Sequence, residues 1–482
     1  MNYKLILNII SIVLIITSLF MLLPIGVSLL YKQQDILPLI QSFLIILSTG
    51  LLLNFITRSQ KKEELKHREA FMIVTSSWIC VAFFGALPYL LSGSFSSFTD
   101  AYFESMAGFT TTGASVVTEI EALPMGILFW RSLTQWIGGM GIILFALAVL
   151  PMLGTGGMQL FKAEVPEIRI DKLKPRIIDT AKSLWYIYVG FTGILIGLYL
   201  IGGMSLYDAV CHAFTTIATG GFSTKNSSIA HFERSFIEYT TSIFMFISGI
   251  NYSLYFYLLR GDTSRLWKSN EFRFYLTVTV IAIIGVTFSI WRSSYDSFSD
   301  ALRYGLFQVM SIITTTGFTT ADYEKWPSFA QATLVVLMFF GGMIGSTSGG
   351  IKQVRMLLML KQGYREMYQL IHPSAITSLK LDDKILTKEI LGSIWGFVFL
   401  FIFICAIATI GVAATGMDII TSASTVISAM CNVGPALGEA GPAENYASMP
   451  LVAKWIIIFC MLAGRLEIYT VLILLVPQFW KK

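Results

Sequence analysis

The sequence predicts an all-α polytopic membrane protein: ten transmembrane helices plus four shorter re-entrant helices that enter the membrane and return. Three observations carry this. Of 482 residues, 55% are apolar and only 13% charged, about half the roughly 25% charge of soluble domains, and the mean hydropathy is +0.70. The apolar residues form long continuous runs of the length a spanning helix needs, not the short alternating segments of a membrane β-barrel. One unit (a span, a half-polar segment ending at a glycine, a second span) occurs four times.

The expected spans lie at about 5–30, 36–57, 70–93, 125–150, 183–203, 236–259, 272–291, 328–360, 386–414 and 450–478. The run Leu5–Leu30 is too long for a cleaved signal peptide and shows no obvious cleavage site. Residues 1–57 form a helical pair outside the repeats. The repeats are 70–150, 183–260, 272–361, whose last helix is broken, and 386–478. The half-polar segments near 98–112, 205–219, 298–316 and 418–433 are too short and too polar to span. Five, six, four and seven lysines and arginines fall in loops 58–69, 151–182, 260–273 and 352–388, and three more lie at the chain ends. With ten alternating spans all of these share one side. The positive-inside rule makes that side, and both termini, cytoplasmic.

Several function classes lose support on the same residues. The five cysteines form no CxxC pair, so neither a disulfide framework nor a zinc site is indicated. HExxH, GxSxG and paired intramembrane aspartates are absent, which argues against an intramembrane enzyme. GTGGMQ (Gly154–Gln159) has Gln159 where a dinucleotide fingerprint needs its third glycine. The net charge of +5 sits in short loops, where it sets orientation and gives no sign of nucleic-acid binding. A coupled transporter of another solute usually shows two inverted repeats, not four parallel ones.

The repeat itself is carried by glycines. The four segments end in TTTG (Thr110–Gly113), ATGG (Ala218–Gly221), TTTG (Thr314–Gly317) and CNVG (Cys431–Gly434). A second glycine follows in each: Gly139, Gly249, Gly342 and Gly464. Asp100, Asp208, Asp300 and Asp418 stand near the segment starts, where an N-cap belongs. One such glycine is commonly just a helix C-cap. Four at matching offsets point to pseudo-fourfold symmetry about a central axis. Irregular backbone at membrane depth is tolerated only where protein buries it or a cavity meets it. Carbonyl oxygens turned toward such an axis can replace the hydration shell of a monovalent cation.

On these motifs the chain resembles the TrkH/KtrB/HKT superfamily of potassium transporters, and the TrkH branch in its N-terminal helical pair. The resemblance covers residues 70–482 through the repeats. It implies a selectivity filter with one glycine per repeat, here Gly113, Gly221, Gly317 and Gly434. Preceding carbonyls from Thr111, Thr112, Thr219, Gly220, Thr315, Thr316, Asn432 and Val433 would then contact potassium, the transported ion and the one metal expected. Glycine at 113, where sodium-selective plant relatives have serine, looks like the potassium-permeable type. The fourth repeat departs most, with Asn-Val-Gly-Pro in place of Thr-Thr-Gly. Further implications are a bacterial inner-membrane location, a homodimer, a cytosolic TrkA-like nucleotide-binding regulator, channel-like or coupled flux, and no organic cofactor in this chain.

Two irregularities point to a gate. GGMIGSTSGG (Gly341–Gly350) interrupts span 328–360, and its glycines each cost about 1 kcal/mol in a helix. Close packing through small residues is one reading. The resemblance implies the other, a loop across the pore formed by Gly345, Ser346, Thr347, Ser348 and Gly349. Arg465 follows Gly464, where the sister repeats carry Met140, Ile250 and Met343. On a straight helix it lies about 22 Å from the outer end, at a depth where a charge costs roughly 3 kcal/mol or more. It either makes a packing ion pair or points into the pore and opposes cations. Glu104, within the first re-entrant segment, is read as a hydrogen-bond acceptor or as an ion-attracting charge.

Overall fold

The computed structural model describes residues 1–57, 66–152, 177–375, 377–382, 384–386 and 388–481, with backbone alone at 67, 140, 142–152, 177–181, 384, 388 and 389. Arg58, Lys61 and Lys62, most of loop 151–182 and the motif Gly154–Gln159 lie outside the described residues. Helices dominate, as they must where no water is at hand to satisfy the backbone. Among the described residues, six helices are long and apolar enough to cross a membrane: Tyr3–Leu30, Ile36–Thr57, Arg68–Leu91, Lys182–Ile201, Asn270–Ile290 and Ile390–Ala413. A bent pair, Leu451–Arg465 with Ile468–Leu475, makes a seventh if it counts as one span. The chain is therefore a multi-pass helical protein of membrane type.

The remaining expected spans differ in instructive ways. The segment 125–150 is a single helix, Met125–Met152. The segment 236–259 is two helices, Ser235–Ser248 and Tyr252–Leu258. They part at Gly249 because that carbonyl accepts from Met343 N–H at 2.9 Å, while Tyr252 N–H donates to Gly345 at 3.1 Å. The segment 328–360 breaks after Ser328–Phe339 and resumes only at Gln353, in a helix that runs to Ile371. Half of the expected loop 352–388 is thus helical. The segment 450–478 bends by 117° just after Arg465, at Glu467, whose φ is 59°. Arg465 accordingly ends a helix and does not sit midway along one.

The four half-polar segments are short helices: Phe98–Phe109, Leu206–Ile217, Phe298–Ile313 and Ile419–Cys431. Asp418 caps the last, accepting from the N–H groups of Ile420 and Thr421. The expectation fails for the other three aspartates. There the N-cap positions are Ser97, Ser205 and Ser297, and the aspartate lies three residues on, in the first turn. A carboxylate there still complements the helix dipole. Ser205 shows the reason for the shift: its hydroxyl accepts from Asp208 N–H at 3.0 Å and donates to the Asp208 carboxylate at 2.8 Å.

Candidate functional site

All four short helices end in the same backbone turn. Thr112, Gly220, Thr316 and Val433 each donate an N–H to the carbonyl five residues back, at 2.8–2.9 Å. Thr111, Thr219, Thr315 and Asn432 each donate to the carbonyl three back, at 2.9–3.2 Å. This is a Schellman cap, whose left-handed position usually holds glycine. Here it holds Thr111, Thr219, Thr315 and Asn432, with φ of 52°, 52°, 57° and 55°. A β-branched residue with positive φ is a genuine outlier. The glycine of each motif lies two residues further on and is left-handed as well, at 77°, 78°, 81° and 104°. Left-handed residues at alternate positions turn successive carbonyls toward one side. The cap is therefore the threonine or asparagine, and the glycine serves something beyond ending the helix.

The four turns close on one another. A β-carbon at Gly113 would run into the carbonyl oxygen of Gly220, one at Gly221 into that of Thr316, and one at Gly317 into that of Val433. At Gly434 it would run into that of Thr112. Each glycine thus abuts the residue just before the next repeat's glycine, and the fourth returns to the first. A cavity is lined by all four glycines together with Arg131, Lys225, Glu444 and Tyr446.

On the other side of the ring lies the segment Gly341–Gly350. Its ends are held together by Gly341 N–H to Ile351 at 2.9 Å and by Gln353 Nε2 to the Gly341 carbonyl at 2.8 Å. Its middle reaches the cap residues. Gly349 N–H donates to Thr315 Oγ1 at 2.7 Å, and Thr219 Oγ1 donates to Thr347 Oγ1 at 3.3 Å. A side chain on Gly349 would meet Cys431 and Asn432. Ser346, Thr347 and Ser348 are all buried. Arg465, also buried, donates to the carbonyl of Thr347 at 2.7 Å and to that of Gly138 at 3.3 Å. Lys352 donates to the next carbonyl, that of Ser348. Every residue expected at the filter or the gate therefore lies in one contiguous region. Glu467 pairs with Arg355 at 2.6 Å instead of Arg465.

Sequence reasoning missed the strap that holds the second turn. Arg131 and Gln135 lie one helical turn apart on Met125–Met152, both buried. Arg131 pairs with buried Glu104 at 2.7 Å, donates to the Ser223 carbonyl at 3.1 Å and lies over the Phe222 ring at 4.1 Å. Glu104 also accepts from Val116 N–H at 3.0 Å and from Ser115, so it is a structural acceptor. A signal was available: an arginine inside an apolar span needs a partner.

Four like turns, set head to tail within a multi-pass helical protein, define a membrane protein built around one closed set of glycine turns. The chain belongs to the TrkH family, described as cation transport proteins, whose model matches residues 38–482. It is 42% identical over 486 residues to the Trk system potassium uptake protein TrkH of Salmonella typhimurium (strain LT2), with both chains wholly covered. To TrkG of Escherichia coli K12, also a Trk system potassium uptake protein, it is 35% identical over 96% of each chain. Its fold matches the crystal structure of the potassium transporter TrkH from Vibrio parahaemolyticus with a TM-score of 0.92, at 39% identity and full coverage of both.

Proposed function

We propose that this protein takes up potassium across a bacterial inner membrane, through a central pore at the ring of four glycine turns. The carrying observation is the closure of that ring, Gly113 to Gly220, Gly221 to Thr316, Gly317 to Val433 and Gly434 to Thr112. Carbonyls of residues 111–112, 219–220, 315–316 and 432–433 replace water around the ion. The Thr111 hydroxyl and Asn432 Oδ1 are buried with no hydrogen-bond partner among the described residues, and both are oxygen donors of the kind a monovalent cation takes. The potassium named in the relatives fits that donor set. The repeats 70–150, 183–260, 272–361 and 386–478 each contribute one turn, and ten spans with both termini cytoplasmic carry them.

In this reading Gly345–Gly349 is the gate. It lies directly against the cap residues, and Arg465 holds it there while adding a positive charge that opposes cations. The helix Gln353–Ile371 carries an exposed apolar stripe, Leu360, Tyr364, Met367 and Ile371, which offers contact area for a second copy and for a cytosolic TrkA-like nucleotide-binding regulator. Rubidium-86 uptake in potassium-starved cells tests the proposal. Uptake well above an empty vector is expected, and none above it overturns the reading.

A further inference from the structure

Three of the four turns carry a side chain at the residue before the ring glycine: Thr112, Thr316 and Val433. The second has Gly220 there, and its φ is not among the positive ones, so backbone conformation does not demand glycine. The space does. A β-carbon on Gly220 would collide with the carboxamide of Gln135. That carboxamide is wholly buried. Its Nε2 donates to the Gly220 carbonyl at 2.6 Å, and its Oε1 accepts from Phe222 N–H at 3.0 Å. The backbone partners settle which end is which, since a carbonyl only accepts and an N–H only donates. The amide thus spans Gly221 like a clamp.

Nothing equivalent occurs among the described residues of the other repeats. Among the described residues no side chain donates to the carbonyls of Thr112, Thr316 or Val433. Four residues before the second glycine, where repeat one has Gln135, the other three have Met245, Met338 and Cys460, none of which carries an amide. The asymmetry therefore rests on one residue pair.

We propose that Gln135 is a specificity-determining positioning residue: its carboxamide stands in for the missing side chain of Gly220 and sets the placement and strength of that ring carbonyl. The inference rests on the filter reading above. A carbonyl that already accepts an amide proton presents a weaker field to an ion, and weaker fields favour larger, more easily dehydrated cations. The clamp also prevents the glycine-rich turn Gly220–Gly221, which is otherwise permissive, from collapsing around a smaller ion. Without it the ring should admit sodium more readily.

The test is potassium-over-sodium permeability in liposomes holding the purified protein. Gln135→Met is expected to lower the ratio roughly fivefold, the equivalent of one net hydrogen bond. Gly220→Thr, which displaces the carboxamide, should do the same. The double variant, which carries the residue types of the corresponding pair Met245 of repeat two and Thr316 of repeat three, should be no worse than either single one, because both act through one contact. Gln135→Glu keeps the size: protonated it still donates to Gly220, and ionised it cannot, so its ratio should fall as pH rises while the wild type's does not. An unchanged ratio in well-folded Gln135→Met and Gln135→Glu, or additive single effects, overturns the inference. Gly221→Ser in the same assay separates the two ideas. If it shifts the ratio while the Gln135 variants do not, only the clamp fails; if none shifts it, the filter reading fails too.

Discussion

The guanidinium of Arg465 donates to the backbone carbonyl of Thr347 at 2.7 Å. This contact joins the end of helix Leu451–Arg465 in the fourth repeat to the segment that interrupts the third. Arg465 also reaches Gly138 of the first repeat, and Thr347 itself donates to the Ile217 carbonyl in the second, at 3.0 Å. All four repeats therefore meet at one arginine–threonine pair. The arginine sits at a helix C-terminus, where the dipole favours a cation, which lessens the cost of its burial.

Replacing Arg465 by alanine is expected to raise potassium flux and loosen its dependence on a regulator. Charge-assisted hydrogen bonds contribute roughly 1.5–3 kcal/mol each, so losing them should shift a closed-to-open balance by about tenfold or more. Arg465→Lys keeps the charge and should stay nearer the wild type. Rubidium uptake per folded molecule is the measurement. Lower uptake with poor expression would return Arg465 to a packing role.

Deleting part of Gly345–Gly350 should raise basal flux without any partner. The Gly341–Ile351 pairing at the base of the segment holds the flanking helices in place when its tip is shortened. Flux unchanged from the wild-type basal level, in protein that elutes normally, would make the segment packing and no gate.

Gly113→Ser should weaken discrimination of potassium over sodium. The residue is left-handed and its β-carbon would press on the Gly220 carbonyl, so both strain and displacement act on the ring. The permeability ratio in liposome flux decides it. An identical ratio would remove the first turn from the filter.

Glu104→Ala should destabilise the protein by roughly 3–5 kcal/mol, because Arg131 is left buried without its counter-charge. The expected signs are a lower unfolding temperature in detergent and a lower folded yield. Arg131→Ala should behave similarly, since each leaves the other's charge unpaired. Wild-type stability in both would mean the pair is solvated.

Much of this architecture is local and therefore legible in the chain. Apolar runs of twenty or so residues favour helices from their own composition, and Gly113, Gly221, Gly317 and Gly434 stand out because turns of one design need glycine at one place. Even so, hydropathy treats 236–259, 328–360 and 450–478 as continuous spans, because an apolar composition does not reveal a backbone carbonyl claimed from elsewhere. Gly249 ends its helix by accepting from Met343, a residue 94 positions away. Likewise Glu104 and Gln135 show as polar residues in apolar stretches, but their partners Arg131 and Gly220 are set by how the helices pack. Sequence by itself determined the membrane class, the fourfold repetition and the positions of the turns. Tertiary structure alone decided that the turns close into a ring, that threonine and not glycine caps each of the first three helices, and that Arg465 meets Thr347. The ring and the Arg465–Thr347 contact join segments about a hundred residues apart or more, which local propensity does not encode, and the threonine caps hold a left-handed backbone that propensity alone would assign to glycine.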